Sequence, residues 1–143
     1  MQKELKNRRS IENDEVRYYT TRNIISVVSN ASVTEACQTM CDKSKGSLLI
    51  EKNGEYVGIV TEGDISRRVI AQIKQPIDVQ VEAIMSKPII TIESNQLMVT
   101  AFLTMEQYGI RHIAVSENKK IIGMLSIRDF SKYYIRKFSK RIK

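Results

Sequence analysis

The chain of 143 residues has a single histidine, two cysteines and two prolines. One imidazole, His112, leaves little side-chain acid–base chemistry near neutral pH. Cys37 and Cys41 lie four apart in a helical pattern, and a tetrahedral metal would need two further ligands. They read as reduced thiols, with Cys37 on the apolar side beside Ala36 and Met40. There is no nucleophile elbow, no phosphate loop with its lysine, no histidine–cysteine pair and no acidic metal cluster. No catalytic set emerges, so the reading is a binding module, not an enzyme. No apolar run approaches the roughly 20 residues of a membrane span, and no transmembrane segment is expected. The opening MQKELKNRR carries charge without an apolar stretch, so a secretory signal is absent and a cytoplasmic protein is expected.

Charge of one sign is scarce in the middle and abundant at the ends. Residues 1–10 carry four basic and one acidic side chain, residues 128–143 seven and one, and residues 11–127 twelve against fourteen. The net +7 is thus +3, +6 and −2 from ends and body.

What the chain does have is a repeat. Residues 16–70 return as residues 81–135 at a constant offset of 65 with no gap. Val16 matches Val81, Ile24-Ile25 match Ile89-Ile90, and Ser29-Asn30 match Ser94-Asn95. Thr39-Met40 match Thr104-Met105, Gly58 matches Gly123, and Asp64 matches Asp129. Two copies are too few for a solenoid and suggest one pseudo-symmetric domain with related sites at the seam.

Each copy reads β-α-β-β-α. The predicted strands are Ile24–Val28, Ser47–Glu51 and Tyr56–Val60, then Ile89–Ile92, His112–Ser116 and Ile121–Leu125. Ser32 and Asn95 are the expected caps of the first helices, and Lys52-Asn53-Gly54-Glu55 has hairpin-turn chemistry. Residues 71–80, with Pro76, form the linker. The expected division is a basic segment 1–13, repeats at 14–75 and 76–137, and a basic tail 138–143.

The best local motif is Gly58-Ile-Val-Thr61-Glu-Gly-Asp64, repeated as Gly123-Met-Leu-Ser126-Ile-Arg-Asp129. A hydroxyl residue followed three positions later by an acid nearly makes a capping box, although Asp reaches back less well than Glu. The same geometry suits a nucleotide: a helix N-terminus with a hydroxyl binds phosphate, and a carboxylate one turn inside accepts ribose hydroxyls. Both readings stand on the motif alone.

The full layout resembles a tandem pair of CBS domains, a regulatory module found alone or attached to enzymes, channels and transporters. The likeness covers residues 14–137. It rests on the Ile-Ile-Ser-Val and Ile-Ile-Thr-Ile strands, Ala-(x)3-Met at 36–40 and 101–105, Arg-His-Ile-Ala-Val at 111–115, and the two Gly-(x)2-hydroxyl-(x)2-Asp motifs. The resemblance implies an α+β sandwich of two pseudo-symmetric repeats packed through their sheets, with two clefts. The implied regulatory ligand is an adenosine nucleotide, AMP, ADP or ATP, with S-adenosylmethionine or NAD as further choices and no obligatory cofactor. One cleft would set Thr61 and Asp64 against Pro88, Ile89, Ile90, Arg111, His112 and Ile113. The other would set Ser126, Arg128 and Asp129 against Asn23, Ile24, Ile25, Gly46, Ser47 and Leu48. The first ranks higher for a phosphorylated ligand, because Arg111 and His112 offer basic side chains.

The last helix carries a Phe130, Tyr134, Phe138, Ile142 stripe beside Lys132, Arg136 and Lys140. The stripe reads as a face that docks on its own or a sister subunit, and a homodimer with an unknown protein partner is expected. The competing reading is a nucleic-acid-associated regulator that uses the basic termini.

Overall fold

The computed structural model describes residues 14–139, so the expectations placed on residues 1–13 and 140–143, among them the nucleic-acid role of the extreme termini, lie outside the described residues. The chain divides into two compact units, one of residues Ile24–Ile89 and one in which the segment ending at Asn23 joins Ile90 onward.

In the Ile24–Ile89 unit the elements are β1 (Ser26–Val28), α1 (Val33–Lys43), β2 (Ser47–Lys52), β3 (Glu55–Thr61) and α2 (Glu62–Ile65), which continues as a π-helical turn over Ser66–Ile70. The other unit holds β4 (Thr91–Glu93), α3 (Met98–Tyr108), β5 (His112–Glu117), β6 (Lys120–Ser126) and α4 (Ile127–Phe138). Each has one mixed three-stranded sheet, in the orders β1-β2-β3 and β4-β5-β6. The first pair is parallel and the second antiparallel in both. The fold of the described residues is therefore α+β, with two related sheets and four α-helices beside short 3-10 turns.

The central strands β2 and β5 explain why the sequence alternates so poorly there. Leu48, Leu49 and Ile50 are all buried, as are Ile113, Ala114 and Val115, so both faces of each strand are covered. Both antiparallel ladders shift register at the same place, between Ile50 and Glu51 and between Val115 and Ser116. The hairpins close through two left-handed residues, Asn53-Gly54 and Asn118-Lys119, the backbone of a type I′ turn. Gly54 takes the position that strains a side chain, and Lys119 occupies it in the second copy at φ 64°.

β1 and β4 are shorter than expected, at three residues each: Ile24-Ile25 and Ile89-Ile90 precede the ladder, where Ile25 and Ile90 only give carbonyls to Leu49 and Ala114. Ser32 caps α1 as expected, accepting from the Glu35 N–H at 3.1 Å. Asn95 is not the corresponding cap. Leu97 holds that position, and the first free N–H of α3, on Met98, donates to the Asp14 carbonyl at 2.8 Å. Val33 does the same to the Val79 carbonyl in the other unit, also at 2.8 Å.

Those two bonds belong to a wider exchange. The segment before the first repeat's strand packs with the second repeat, and the segment before the second repeat's strand packs with the first. Val16 is buried with Met98 and Met105, while Val81 and Ile84 are buried with Val33 and Val60. Backbone bridges Thr21↔Met124 and Ile59↔Ser86, again 65 apart, hold the end of each segment against a strand. The later part of the expected linker 71–80 is therefore structural, with the Val79 carbonyl on Val33 and Gln80 bridged to Ser32, and Val81 just beyond it is fully buried.

Within its own unit, α4 packs on a face beside most of the expected docking stripe. The buried residue is Tyr133, which meets Tyr19 edge-on at 5.1 Å, and Phe130 stacks on Phe102 at 4.4 Å. Tyr134 is 55% exposed, so the packed face runs through Phe130 and Tyr133, not through Tyr134.

Candidate functional site

The two hydroxyl–aspartate motifs sit where a strand turns into a helix. In both, the aspartate reaches back farther than its length suggested. Asp64 Oδ2 accepts from the Thr61 N–H at 3.0 Å, and the Thr61 hydroxyl accepts from the Asp64 N–H at 3.2 Å. Asp129 Oδ2 accepts from the Ser126 N–H at 2.8 Å and from the Ser126 hydroxyl at 3.2 Å. The extended backbone of Thr61 and Ser126, with ψ near 163° and 165°, turns the N–H toward the carboxylate, which is why a short acid suffices. Each carboxylate is thus fixed at a helix entrance through one oxygen, with a hydroxyl beside it.

The surroundings of the two acids differ. Asp64 is buried, 3% exposed, and its Oδ1 takes the Ser86 hydroxyl at 3.2 Å. The Arg67 and Arg68 guanidinium groups approach the same oxygen at 3.5 and 3.8 Å. Asp129 is half-buried, and among the described residues no lysine or arginine forms an ion pair with it.

The neighbouring strands bring further expected residues together. Beside Asp64, Ser47 pairs with Thr61 and Leu48 with Val60, and the Gly46 carbonyl accepts from Glu62 N–H at 3.1 Å. Beside Asp129, His112 pairs with Ser126 and Ile113 with Leu125, and the Arg111 carbonyl accepts from Ile127 N–H at 2.9 Å. Arg111 and Arg128 are exposed and His112 is half-buried. Leu48 and Ile113 point into the cores of their units, which leaves only their backbone for any other contact. Ile24, Ile25, Pro88 and Ile89 belong to the unit of Asp64, and Asn23 and Ile90 to that of Asp129. Asn23 and Pro88 are exposed, the four isoleucines half-buried.

Sequence reasoning missed Ser86, Arg67 and Arg68. A signal was present in the repeat: Ser86 matches Thr21 and Arg67 matches Lys132, but Arg68 matches Tyr133, a break in like-for-like pairing beside the motif.

Cys37 is half-buried and Cys41 exposed, both reduced, and with Thr34, Gln38, Asp42 and Pro76 they line a depression that contains no motif residue. Among the described residues no cluster of His, Cys, Asp and Glu has the arrangement of a metal site, and no helix is long and apolar enough to cross a membrane.

Comparison with known proteins places this geometry. The family model for the CBS domain matches twice, over residues 15–71 and 81–136. An uncharacterized protein of Methanopyrus kandleri is 33% identical over 110 residues, which are 76% of this chain and 56% of that one, so the chain spans about half of its relative. Among solved structures, a conserved protein from Pyrococcus horikoshii superposes with a TM-score of 0.80 at 31% identity, over 86% of this chain and 93% of that one. A hexameric CBS-CP12 protein from bloom-forming cyanobacteria gives 0.78 at 27% identity, over 90% and 75% of the two chains. A CBS domain pair solved with 5′-methylthioadenosine and S-adenosyl-L-methionine gives 0.74 at 25% identity, over 84% and 98%. With the family pattern matched twice across both repeats, and the fold of solved CBS pairs, the chain belongs to the CBS-domain family as a tandem pair.

Proposed function

We propose that this CBS pair is a regulatory, non-catalytic module of the cytoplasm that binds an adenosine nucleotide, AMP, ADP or ATP, and passes its ligand state to a protein partner. The observation that carries this reading is the twin motif. Each carboxylate, Asp64 and Asp129, is held by one oxygen at a helix entrance beside a hydroxyl. A carboxylate so placed suits the two hydroxyls of a ribose, and Ser126 with the first amides of α4 suits a phosphate. The adenosine-type ligands of a solved relative support the class, and S-adenosylmethionine and NAD remain in the test panel. Ile24 and Ile25 in one unit, and Ile90 in the other, are half-buried apolar side chains of the kind that flank an adenine ring.

The same proposal includes a homodimer. Val99 and Leu103 of α3 and Tyr134 and Ile135 of α4 are 52–65% exposed, apolar area that a second copy would cover. A hexameric relative supports assembly as a habit of this fold.

The test is calorimetry with AMP, ADP, ATP, S-adenosylmethionine and NAD. Charge-assisted hydrogen bonds contribute about 1.5–3 kcal/mol, so removing one carboxylate should weaken its site roughly 10- to 150-fold. Unchanged affinity and stoichiometry in the Asp64→Ala/Asp129→Ala double variant would overturn the ribose assignment.

A further inference from the structure

The two motifs are tethered differently, and the difference runs through Asp64. In the Ile24–Ile89 unit, the segment ending at Ser86 is bridged to β3: the Ser86 N–H donates to the Ile59 carbonyl at 2.8 Å, and the Ser86 carbonyl accepts from the Ile59 N–H at 3.0 Å. Side chains add a second attachment, to α2 and its π-helical continuation. The Ser86 hydroxyl donates to Asp64 Oδ1, and Arg68 donates to the Ile84 and Met85 carbonyls at 2.7 and 3.2 Å while facing the same Asp64 oxygen. Arg67 approaches that oxygen from the next position. One carboxylate therefore gathers the helix, its two arginines and the segment.

At the same positions plus 65, the attachment avoids the aspartate. Thr21 is bridged to Met124 by two backbone bonds of 3.0 Å, but the residue matching Arg68 is Tyr133. Its hydroxyl goes to Asp14 at 2.9 Å, where Lys137 joins at 2.7 Å. Asp129 is left with Ser126 alone among the described residues.

We propose that Asp129 is the open acceptor for a vicinal diol, and that Asp64 is a latch whose carboxylate must leave Ser86 and both arginines before it can take one. The assignment of the diol rests on the nucleotide reading; the latch rests on the contacts alone. A ribose at Asp129 displaces none of its unit's tether. A ribose at Asp64 competes with the Ser86 hydroxyl and draws the carboxylate from two guanidinium groups, loosening residues 84–86. Apparent affinity falls by the fraction of time the latch is open, so the Asp64 event is the weaker one. It is also the one that changes the protein, because only there does ligand exchange for an internal tether.

Hydrogen exchange without ligand tests the latch. In Asp64→Asn and in Arg68→Gln, the amides of Ser86 and Ile59 should exchange at least tenfold faster, while the amide of Met124 stays unchanged. Asp129→Asn should alter neither bridge. Unchanged exchange at Ser86 and Ile59 in both variants overturns the latch, and because Arg68→Gln leaves the capping box intact, a folding failure of Asp64→Asn does not block the test. Titration with AMP, ADP and ATP tests the assignment. Asp129→Asn should weaken the tighter event at least tenfold, and Ser86→Ala should strengthen the weaker event at least threefold. If Asp64→Asn weakens the tighter event and Asp129→Asn does not, the assignment is reversed. Absence of binding by the wild-type chain overturns the nucleotide reading and the diol assignment together, and exchange still decides the latch by itself.

Discussion

The Tyr133 hydroxyl donates to the Asp14 carboxylate at 2.9 Å across 119 positions of sequence, and the Lys137 ammonium donates to the other oxygen at 2.7 Å. Tyr133 is the buried residue of α4, so this contact fixes how the helix rolls on its unit. The Lys137 ammonium also lies 5.4 Å from the Tyr133 ring centroid. The Asp14 carbonyl meanwhile caps α3 through Met98, so one residue anchors two helices, one by its backbone and one by its side chain.

Tyr133→Phe keeps the ring and removes only the hydroxyl. Asp14→Ala removes the carboxylate that accepts from both Tyr133 and Lys137 and leaves the capping carbonyl. A hydrogen bond to a charged group contributes about 1.5–3 kcal/mol when buried and less when solvent screens it. Urea unfolding should show a loss of about 1 kcal/mol for Tyr133→Phe and about 1–2 kcal/mol for Asp14→Ala. Equal stability of Asp14→Ala and the wild-type chain would show that the contact does not hold α4.

The strand glycines explain how closely the exchanged segments approach, and the two copies should respond unequally to a methyl group. A Cβ on Gly123 would collide with the Thr21 carbonyl oxygen, a backbone atom held by the bridge to Met124. A Cβ on Gly58 would meet chiefly the Met85 side chain, at 2.5 Å from sulfur, and a flexible thioether can turn aside. Gly123→Ala should therefore destabilise by about 1–3 kcal/mol and Gly58→Ala by less, measured by thermal or urea unfolding. The reverse order would mean that the Thr21 segment yields more readily than Met85.

Much of this was legible because the offset of 65 transfers each element from one copy to the other. Strands, hairpins and the helix entrances at Thr61 and Ser126 depend on local patterns, and local patterns repeat. What escaped was non-local. Nothing in a repeat reveals that Val16 packs with the second copy and Val81 with the first, because each copy begins with the same segment. The face of α4 that packs within its own unit escaped for the same reason: i, i+4 spacing picked out the exposed stripe through Tyr134, while the Asp14 carboxylate, 119 positions away, holds Tyr133. Asn95 looked like a cap by composition, but the Asp14 carbonyl already satisfies the helix donor. At the site, the capping geometry could be read from the motif, and the opposed environments of Asp64 and Asp129 could not, since they depend on Ser86 arriving from 22 positions away and on Arg68 turning to the Ile84 and Met85 carbonyls.

The two cysteines should react at different rates. Burial first, and the neighbouring Cys41 second, push the Cys37 thiol above its usual range, and the thiolate is the reactive form. Cys41 is exposed on the same helix. Limited iodoacetamide at pH 7.5 (about one equivalent) should give a singly modified protein carrying the label on Cys41 severalfold more often than on Cys37, read by peptide mass spectrometry. Preferential labelling of Cys37 would contradict the packing of α1.

Alkaline stability offers an independent measure of the Asp14 contact. Hydrogen bonds from Lys137 to Asp14 and Tyr133 raise the lysine above its ordinary value of 10.5, and burial above all raises the Tyr133 phenol from 10.0. For both groups the folded state holds its proton more tightly than the unfolded chain. The resulting stability is fully present below the unfolded values and is lost as pH rises through the raised folded ones. Asp14→Asn removes the anion to which both protons are directed, so the variant should show less of this dependence. The gap in unfolding free energy between the wild-type chain and Asp14→Asn should be constant from pH 7 to about 9.5 and close above about pH 10.5. A gap that stays constant to pH 12, with reductant present to keep the thiols intact, would show that neither proton is coupled to folding through Asp14.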